Sequence, residues 1–134
     1  MAEPFARAAR ALVFVLLVAS TACTSEQAQI QEHRKQLHSL RATGAQVGNA
    51  WLAGDVSSTY ARAALETASQ LLERQRATLA AEPERLADSS FARVFSDLNA
   101  GANALGLLIH DIASNDRNAL RQHLALLALE DTSR

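Results

Sequence analysis

Apolar and small residues recur at steps of three and four along most of the chain, which is the spacing of a helix with one buried face. No segment has the every-second-residue alternation of a strand. The pattern predicts four helices, over about residues 26–53, from the turn at 54–55 to about 81, 90–114 and 117–130. We therefore expect an all-α fold, a small up-down-up-down four-helix bundle with a short fourth helix.

Each predicted helix has a buried face that can be read from this spacing. Arg34, Lys35 and Arg41 fall outside the face of the first helix. The residues predicted to be buried are Ile30, His33, Leu37, Leu40, Gly44, Val47 and Trp51 in the first helix, Ala61, Leu65, Ala68, Leu72, Gln75 and Leu79 in the second, Phe91, Phe95, Leu98, Ala102, Leu105, Ile109 and Ile112 in the third, and Leu120, Leu124 and Leu127 in the fourth.

Turn and capping residues separate the four segments. Gly54-Asp55 suits the end of one helix, and Asp55 or Ser57 suits the start of the next. Pro83 disfavours helix before it, and residues 88–90 (Asp-Ser-Ser) offer the next N-cap. Gly44 predicts either a break or a bend in the first helix. Because the fourth helix is short, part of the core stays uncovered unless residues 82–89 or a second molecule covers it.

The N-terminal residues have the order of a secretory signal. Arg7 and Arg10 precede the apolar run Ala11–Ala19, and Ser20-Thr21-Ala22 follows as a stretch of small residues. The run is too short to cross roughly 30 Å of hydrocarbon as a stable helix. We therefore predict that residues 1–22 are a signal peptide.

The segment Ala19-Ser20-Thr21-Ala22-Cys23 resembles the lipobox of bacterial lipoproteins, although the common lipobox has Leu where this chain has Ser20. The resemblance implies cleavage before Cys23, lipidation of that cysteine and anchoring by several acyl chains, which makes release from the membrane slow. Cys23 is the only cysteine, so it has no internal disulfide partner. Ordinary signal cleavage after Ala22, without lipid, is the alternative.

The resemblance also implies a location and a domain order. Thr24 after the cysteine is compatible with sorting to an outer membrane, facing the periplasm, in a cell with two membranes. Residues 23–25 would hold the lipid and a short linker, residues 26–130 the bundle, and residues 131–134 a polar tail.

Composition and motifs favour a protein without catalysis. The formal net charge of −1 gives no electrostatic footprint for nucleic acid. Neither a nucleophile elbow, a phosphate loop nor a zinc-protease helix appears. His33 and His38 are five residues apart, and His110 and Asp111 with His123 satisfy no ligand spacing. We expect no enzymatic activity, no cofactor and no metal.

Small residues cluster near the middle of the predicted bundle and have two interpretations. They allow either close approach of the helices or a cavity for an apolar ligand. The residues are Gly44, Gly48, Ala64, Ala68, Ala102 and Gly106.

The end of the bundle far from the lipid is the candidate partner-binding tip. Trp51 and Tyr60 flank the Gly54 turn, and His110 and His123 are expected at a similar height. Aromatic residues dominate interface energies, although core packing is the alternative for both aromatics. We expect a membrane-tethered lipoprotein that acts by contact with an unknown envelope protein. The alternative is a small apolar-ligand or metal carrier that uses the bundle core.

Overall fold

The computed structural model describes the backbone of residues 3–132 and the side chains of residues 25–131. The described part is helical with no strand, which confirms the all-α prediction. The helices are α1 (Glu3–Ala53), α2 (Ser58–Ala80), α3 (Pro83–Leu86), α4 (Ser89–Ala113) and α5 (Arg117–Thr132). The side chains of the predicted signal peptide and of Cys23, and residues 133–134 of the predicted tail, lie outside the described residues.

The chain divides into two compact units, residues 1–32 and residues 33–134. The first unit contains the N-terminal part of α1, which begins at Glu3 instead of the predicted residue 26. No proline or glycine occurs between Pro4 and Gly44, so nothing in the sequence interrupts the backbone hydrogen bonds of a helix there. The second unit is the bundle, and α1 passes Gly44 and Gly48 within it without a break.

Two helices end in the same backbone motif, in which a residue with positive φ follows the last turn. Gly54 has φ 84°, its N–H donates to Trp51 O over 3.0 Å, and the N–H of Asp55 donates to Ala50 O over 2.9 Å. At the end of α4, Asn115 has φ 54° and the N–H of Asp116 donates to Asp111 O over 2.8 Å. Both turns were predicted.

Side-chain caps begin three of the helices. The N–H of Tyr60 donates to Ser57 Oγ over 3.2 Å, and the N–H of Ser90 donates to Asp88 Oδ1 over 2.7 Å. Asp116 accepts from the N–H of Ala119 over 2.9 Å. These bonds satisfy donors that have no partner inside the helix. Among the alternatives predicted for each N-cap, the structure has Ser57 for α2 and Asp88 for α4.

The segment after α2 forms the short helix α3, which was not predicted. Pro83 lies in its first turn, where a missing N–H costs nothing. This helix packs against both α2 and α4. It therefore covers part of the core that a short fourth helix was expected to leave open.

Side-chain bonds fix the direction of each helix in the bundle. Trp51 on α1 bonds to Ser58 on α2, and Gln75 near the other end of α2 bonds to Gln36, so these helices are antiparallel. Helix α5 runs antiparallel to α1, because Arg117 bonds to Leu52 O and Asp131 bonds to His38. With α4 and α5 also antiparallel, the four long helices have the predicted up-down-up-down order.

The buried faces of α2 and α5 match the prediction, whereas those of α1 and α4 are displaced by one residue at alternate turns. In α2 only Gln75 is half-buried instead of buried. The displaced buried positions are Arg41 and Gly48 in α1, where Leu40 and Val47 were predicted, and Val94, Gly101 and Leu108 in α4, where Phe95, Ala102 and Ile109 were predicted. The five predicted residues are all half-buried, so the true faces are rotated slightly from the predicted ones.

Three glycines allow the helices of the bundle to approach closely. A Cβ on Gly44 would lie 2.5 Å from Leu105 Cδ2, one on Gly101 would lie 2.7 Å from Leu37 Cδ1, and one on Gly48 would lie 3.0 Å from Leu124 Cδ2. Leucine side chains therefore fill the space beside these glycines. Gly106 differs, since a Cβ there would meet nothing within 4 Å.

Candidate functional site

Trp51, the aromatic residue of the predicted tip, is part of the core. Its side chain is 4% exposed, and its Nε1–H donates to Ser58 Oγ over 2.9 Å. The guanidinium of Arg117 lies 5.0 Å from the centroid of the ring, a favourable cation–π distance. The indole therefore joins α1, α2 and α5 and does not face solvent.

The other three residues of the predicted tip do not form one cluster with Trp51. Tyr60 is 61% exposed and His110 is exposed, whereas His123 is half-buried. Among the described side chains, no hydrogen bond or ring contact joins Trp51 to any of them. The partner-binding tip stays a prediction. Of its four residues, Tyr60 and His110 are the two that are exposed to solvent.

His123 pairs with a buried carboxylate on the neighbouring helix. Asp111 is 2% exposed, and its Oδ2 lies 2.6 Å from His123 Nδ1. A carboxylate makes stronger hydrogen bonds than a neutral acceptor, so this pair links α4 to α5. Within residues 25–131 no group of three His, Cys, Asp or Glu side chains is placed to hold a metal ion.

A cleft of about 720 Å³ opens between α1 and α4 beside the end of α5. Helix α5 ends at Thr132, while α1 and α4 extend further in the same direction. The lining residues of the cleft are Arg34, Leu37, His38, Arg41, Arg93, Asp97 and Asp131.

Arg41 is the least exposed charged residue of this cleft and was predicted to lie outside the buried face. It is 5% exposed, and its Nη2 pairs with the carboxylate of Glu130 on α5. Its Nε is buried and has no hydrogen-bond partner among the described residues. Sequence spacing alone placed Leu40 in the core because arginine is rarely buried. Only the carboxylate on α5 makes the observed position favourable.

A second candidate site is a mainly apolar face formed by α4 and α5. Leu107 is 46% exposed and Leu126 is 58% exposed, and both line a groove of about 160 Å³ with Ala100, Asn103 and Ala104. No charged residue occurs in α4 between Asp97 and Asp111. Glu130 and His123 on α5 complete the groove. We call this surface, with Leu107 and Leu126 at its centre, the α4–α5 face.

The α4–α5 face was not predicted as a site. Leu126 and Leu129 on α5 are both more than half exposed. The signal in the sequence was the long uncharged stretch of α4. By itself, this stretch is also consistent with a helix buried on all sides. The packing shows that the side with Leu107 is open to solvent.

None of the described helices is long and apolar enough to cross a membrane. No protein-family description, curated protein or solved structure matches the chain. The case for a function therefore depends on the residues and surfaces of this chain.

Proposed function

We propose that this chain is a lipid-anchored protein of the bacterial cell envelope whose helical bundle acts by binding another envelope protein, without catalysing a reaction. The anchor is the diacylglycerol-modified Cys23 that the lipobox-like segment implies. The observation that supports protein binding is the α4–α5 face. Its two exposed leucines, Leu107 and Leu126, flank a groove, and α4 carries no charged residue for more than three turns beside it.

The composition of the α4–α5 face favours a protein partner. Exposed apolar patches on soluble domains commonly mark interaction sites, and interface cores are poor in charged residues. The face of α2 differs, because Arg62, Glu66 and Glu73 are exposed on it. A partner helix that placed apolar side chains in the groove between α4 and α5 would bury Leu107 and Leu126 together.

Photo-crosslinking in the native cell tests this proposal. A photoreactive amino acid is placed at Leu107 or Leu126. Leu71 serves as the matched control because it is 41% exposed on α2, outside the α4–α5 face. We expect a discrete crosslinked protein of constant mass from both test positions and none from the control position.

A disruptive variant makes the same experiment more specific. Leu107→Glu introduces a charge into the face, and should abolish the crosslink from position 126 while leaving the helical content unchanged. Equal adducts from all three positions, or none from positions 107 and 126, would contradict protein binding by this face.

A further inference from the structure

We propose that the protein bound by the α4–α5 face is a second copy of this chain, packed beside the first as a parallel two-fold dimer on the membrane surface. This inference rests on the function proposed above, since it names the partner of the same face. It is carried by the spacing of exposed residues on α4 and by the residues that lie at the same heights on α5.

The exposed side of α4 has the spacing of a second packing seam. Four exposed residues follow one another at steps of three, four and three, as along a helix that packs on a neighbouring helix. The first three carry no charge, so contact with a neighbour would remove no ionised group of theirs from water. The residues of the seam are Ala100, Asn103, Leu107 and His110.

Helix α5 borders the same face with an apolar residue at a matching height. Helices α4 and α5 are antiparallel, and Asp111 is bonded to His123. Leu107 is four residues before Asp111 along α4. Leu126 is three residues after His123 along α5. Since the rise of a helix is about 1.5 Å per residue, the two leucines lie at nearly the same height.

A polar pair lies one level further along the face. Asn103 is eight residues before Asp111. Glu130 is seven residues after His123, so its height is close to that of Asn103. The amide of Asn103 offers two N–H donors, and a carboxylate has about four acceptor positions. Glu130, whose side chain is 54% exposed, can therefore accept a further N–H while it pairs with Arg41.

Two copies anchored in one membrane at the same residue lie side by side in the same direction. A two-fold axis parallel to the helices leaves each residue at its own height, and an axis at the centre of the face places α4 of each copy against α5 of the other. Leu107 of one copy then meets Leu126 of the second copy, and Asn103 meets Glu130. Each contact occurs twice in such a pair. Confinement to one membrane also raises the effective concentration of the copies.

The match between α4 and α5 favours a second copy over an unrelated protein. The face presents an apolar residue of α4 at the height of an apolar residue of α5, and an amide donor at the height of a carboxylate. A two-fold interface requires such complementarity within one surface, whereas an unrelated partner would supply complementary residues of its own. The contacts between copies would repeat the antiparallel packing of α4 on α5 within each bundle.

Two tagged copies of the full chain, expressed together in the native cell, identify the partner. One copy carries a photoreactive amino acid at Leu126, and the other carries a different epitope tag. We expect the crosslinked adduct to contain the second tag. A discrete adduct without this tag would overturn the assignment of a second copy and leave protein binding by the face intact, whereas the absence of any adduct would contradict both.

Paired cysteines test how the two copies pack. Leu107→Cys in one tagged copy and Leu126→Cys in the other should form a disulfide in an oxidising envelope, so that a non-reducing gel shows both tags in one band. Leu71→Cys with Leu126→Cys is the control pair, because Leu71 is exposed on α2, outside the face. Equal yields from the two pairs, or no band from the first pair, would overturn the proposed dimer.

A charge at Asn103 tests the polar contact. Asn103→Asp keeps the shape of the side chain but places a carboxylate opposite Glu130, and should slow disulfide formation between positions 107 and 126 by about tenfold or more. Gln70→Glu makes the same chemical change at an exposed position of α2 and should leave the rate unchanged. Equal rates in the two variants would contradict the contact between Asn103 and Glu130 and overturn this packing.

Discussion

Gly44 and Gly106 show how the surroundings of a residue decide its role. Both lie inside a continuous helix, where glycine costs about 1 kcal/mol each relative to alanine. At Gly44 the missing Cβ makes room for Leu105, whereas at Gly106 the space beside the backbone is open. The first glycine therefore contributes to packing within the bundle, and the second does not.

The two glycines should respond differently to the same substitution. Gly106→Ala should stabilise the chain by up to about 1 kcal/mol, because only helix propensity changes. Gly44→Ala gains the same propensity but forces a methyl group against a filled core, which typically costs about 1–3 kcal/mol. Urea denaturation followed by circular dichroism would measure both. Equal shifts in the free energy of unfolding would mean that the core has room at Gly44.

Trp51 and Tyr60 form a second pair of residues with contrasting burial. Trp51→Ala should lower the free energy of unfolding by about 3–5 kcal/mol, because the buried indole fills the junction of three helices. Tyr60→Ala, at an exposed position, should change it by about 0.5 kcal/mol or less. Thermal unfolding of both variants checks this. A small loss of unfolding free energy for Trp51→Ala would show that the indole contributes little to the core. Trp51 would then again be a candidate partner-binding residue.

At the scale of the element, α4 carries the most information about the bundle. One side of it meets α1, α2 and α5 through Gly101, Leu105 and Leu108, while another side exposes Leu107. At each displaced position of α4 the neighbouring residue is also apolar or small, so the spacing alone did not distinguish between the two. The pairs are Val94 and Phe95, Gly101 and Ala102, and Leu108 and Ile109.

Leu105 and Leu107 test the orientation of α4. Leu105 is fully buried, and Leu105→Ala should destabilise the bundle by about 2–5 kcal/mol through lost burial and a new cavity. Leu107→Ala removes the same atoms from a position that is nearly half exposed, and should cost much less. Chemical denaturation of the two variants gives the comparison. Similar losses would show that the outer face of α4 is covered in the isolated protein.

At the scale of the whole molecule, α5 borders both candidate sites. Asp131 on α5 lines the cleft between α1 and α4, and the exposed side of α5 forms part of the α4–α5 face. Arg117 and Asp131 bond the two ends of α5 to α1.

Residues 19–23 predict that the chain is lipidated at Cys23. Cells supplied with labelled palmitate should incorporate label into the wild-type chain, and Cys23→Ser should remove it, because Cys23 carries the only thiol. Gel fluorography of the immunoprecipitated protein measures the label. Equal labelling of both chains, or no labelling of either, would show that the lipoprotein assignment is wrong.

The spacing of apolar, capping and turn residues was enough to predict the helical fold, the turns and most of the core. Gly54, Asn115, Ser57 and Asp88 act through hydrogen bonds to nearby backbone, so their effects are local and readable from spacing. In α2 and α5 the buried leucines are flanked mostly by polar or charged residues, which leave one choice of buried face.

The candidate sites could not be predicted in this way, because they depend on how the helices pack against one another. Arg41 is buried because Glu130, far away in sequence, lies beside it on α5, and no local spacing encodes that pair. Arg34 on α1 and Arg93 on α4 line one cleft because the bundle brings these two helices together. Leu107 is exposed because α4 is rotated to place Leu105 and Leu108 inside. In each case the outcome depends on contacts between distant helices, and such contacts are fixed only when the whole bundle packs.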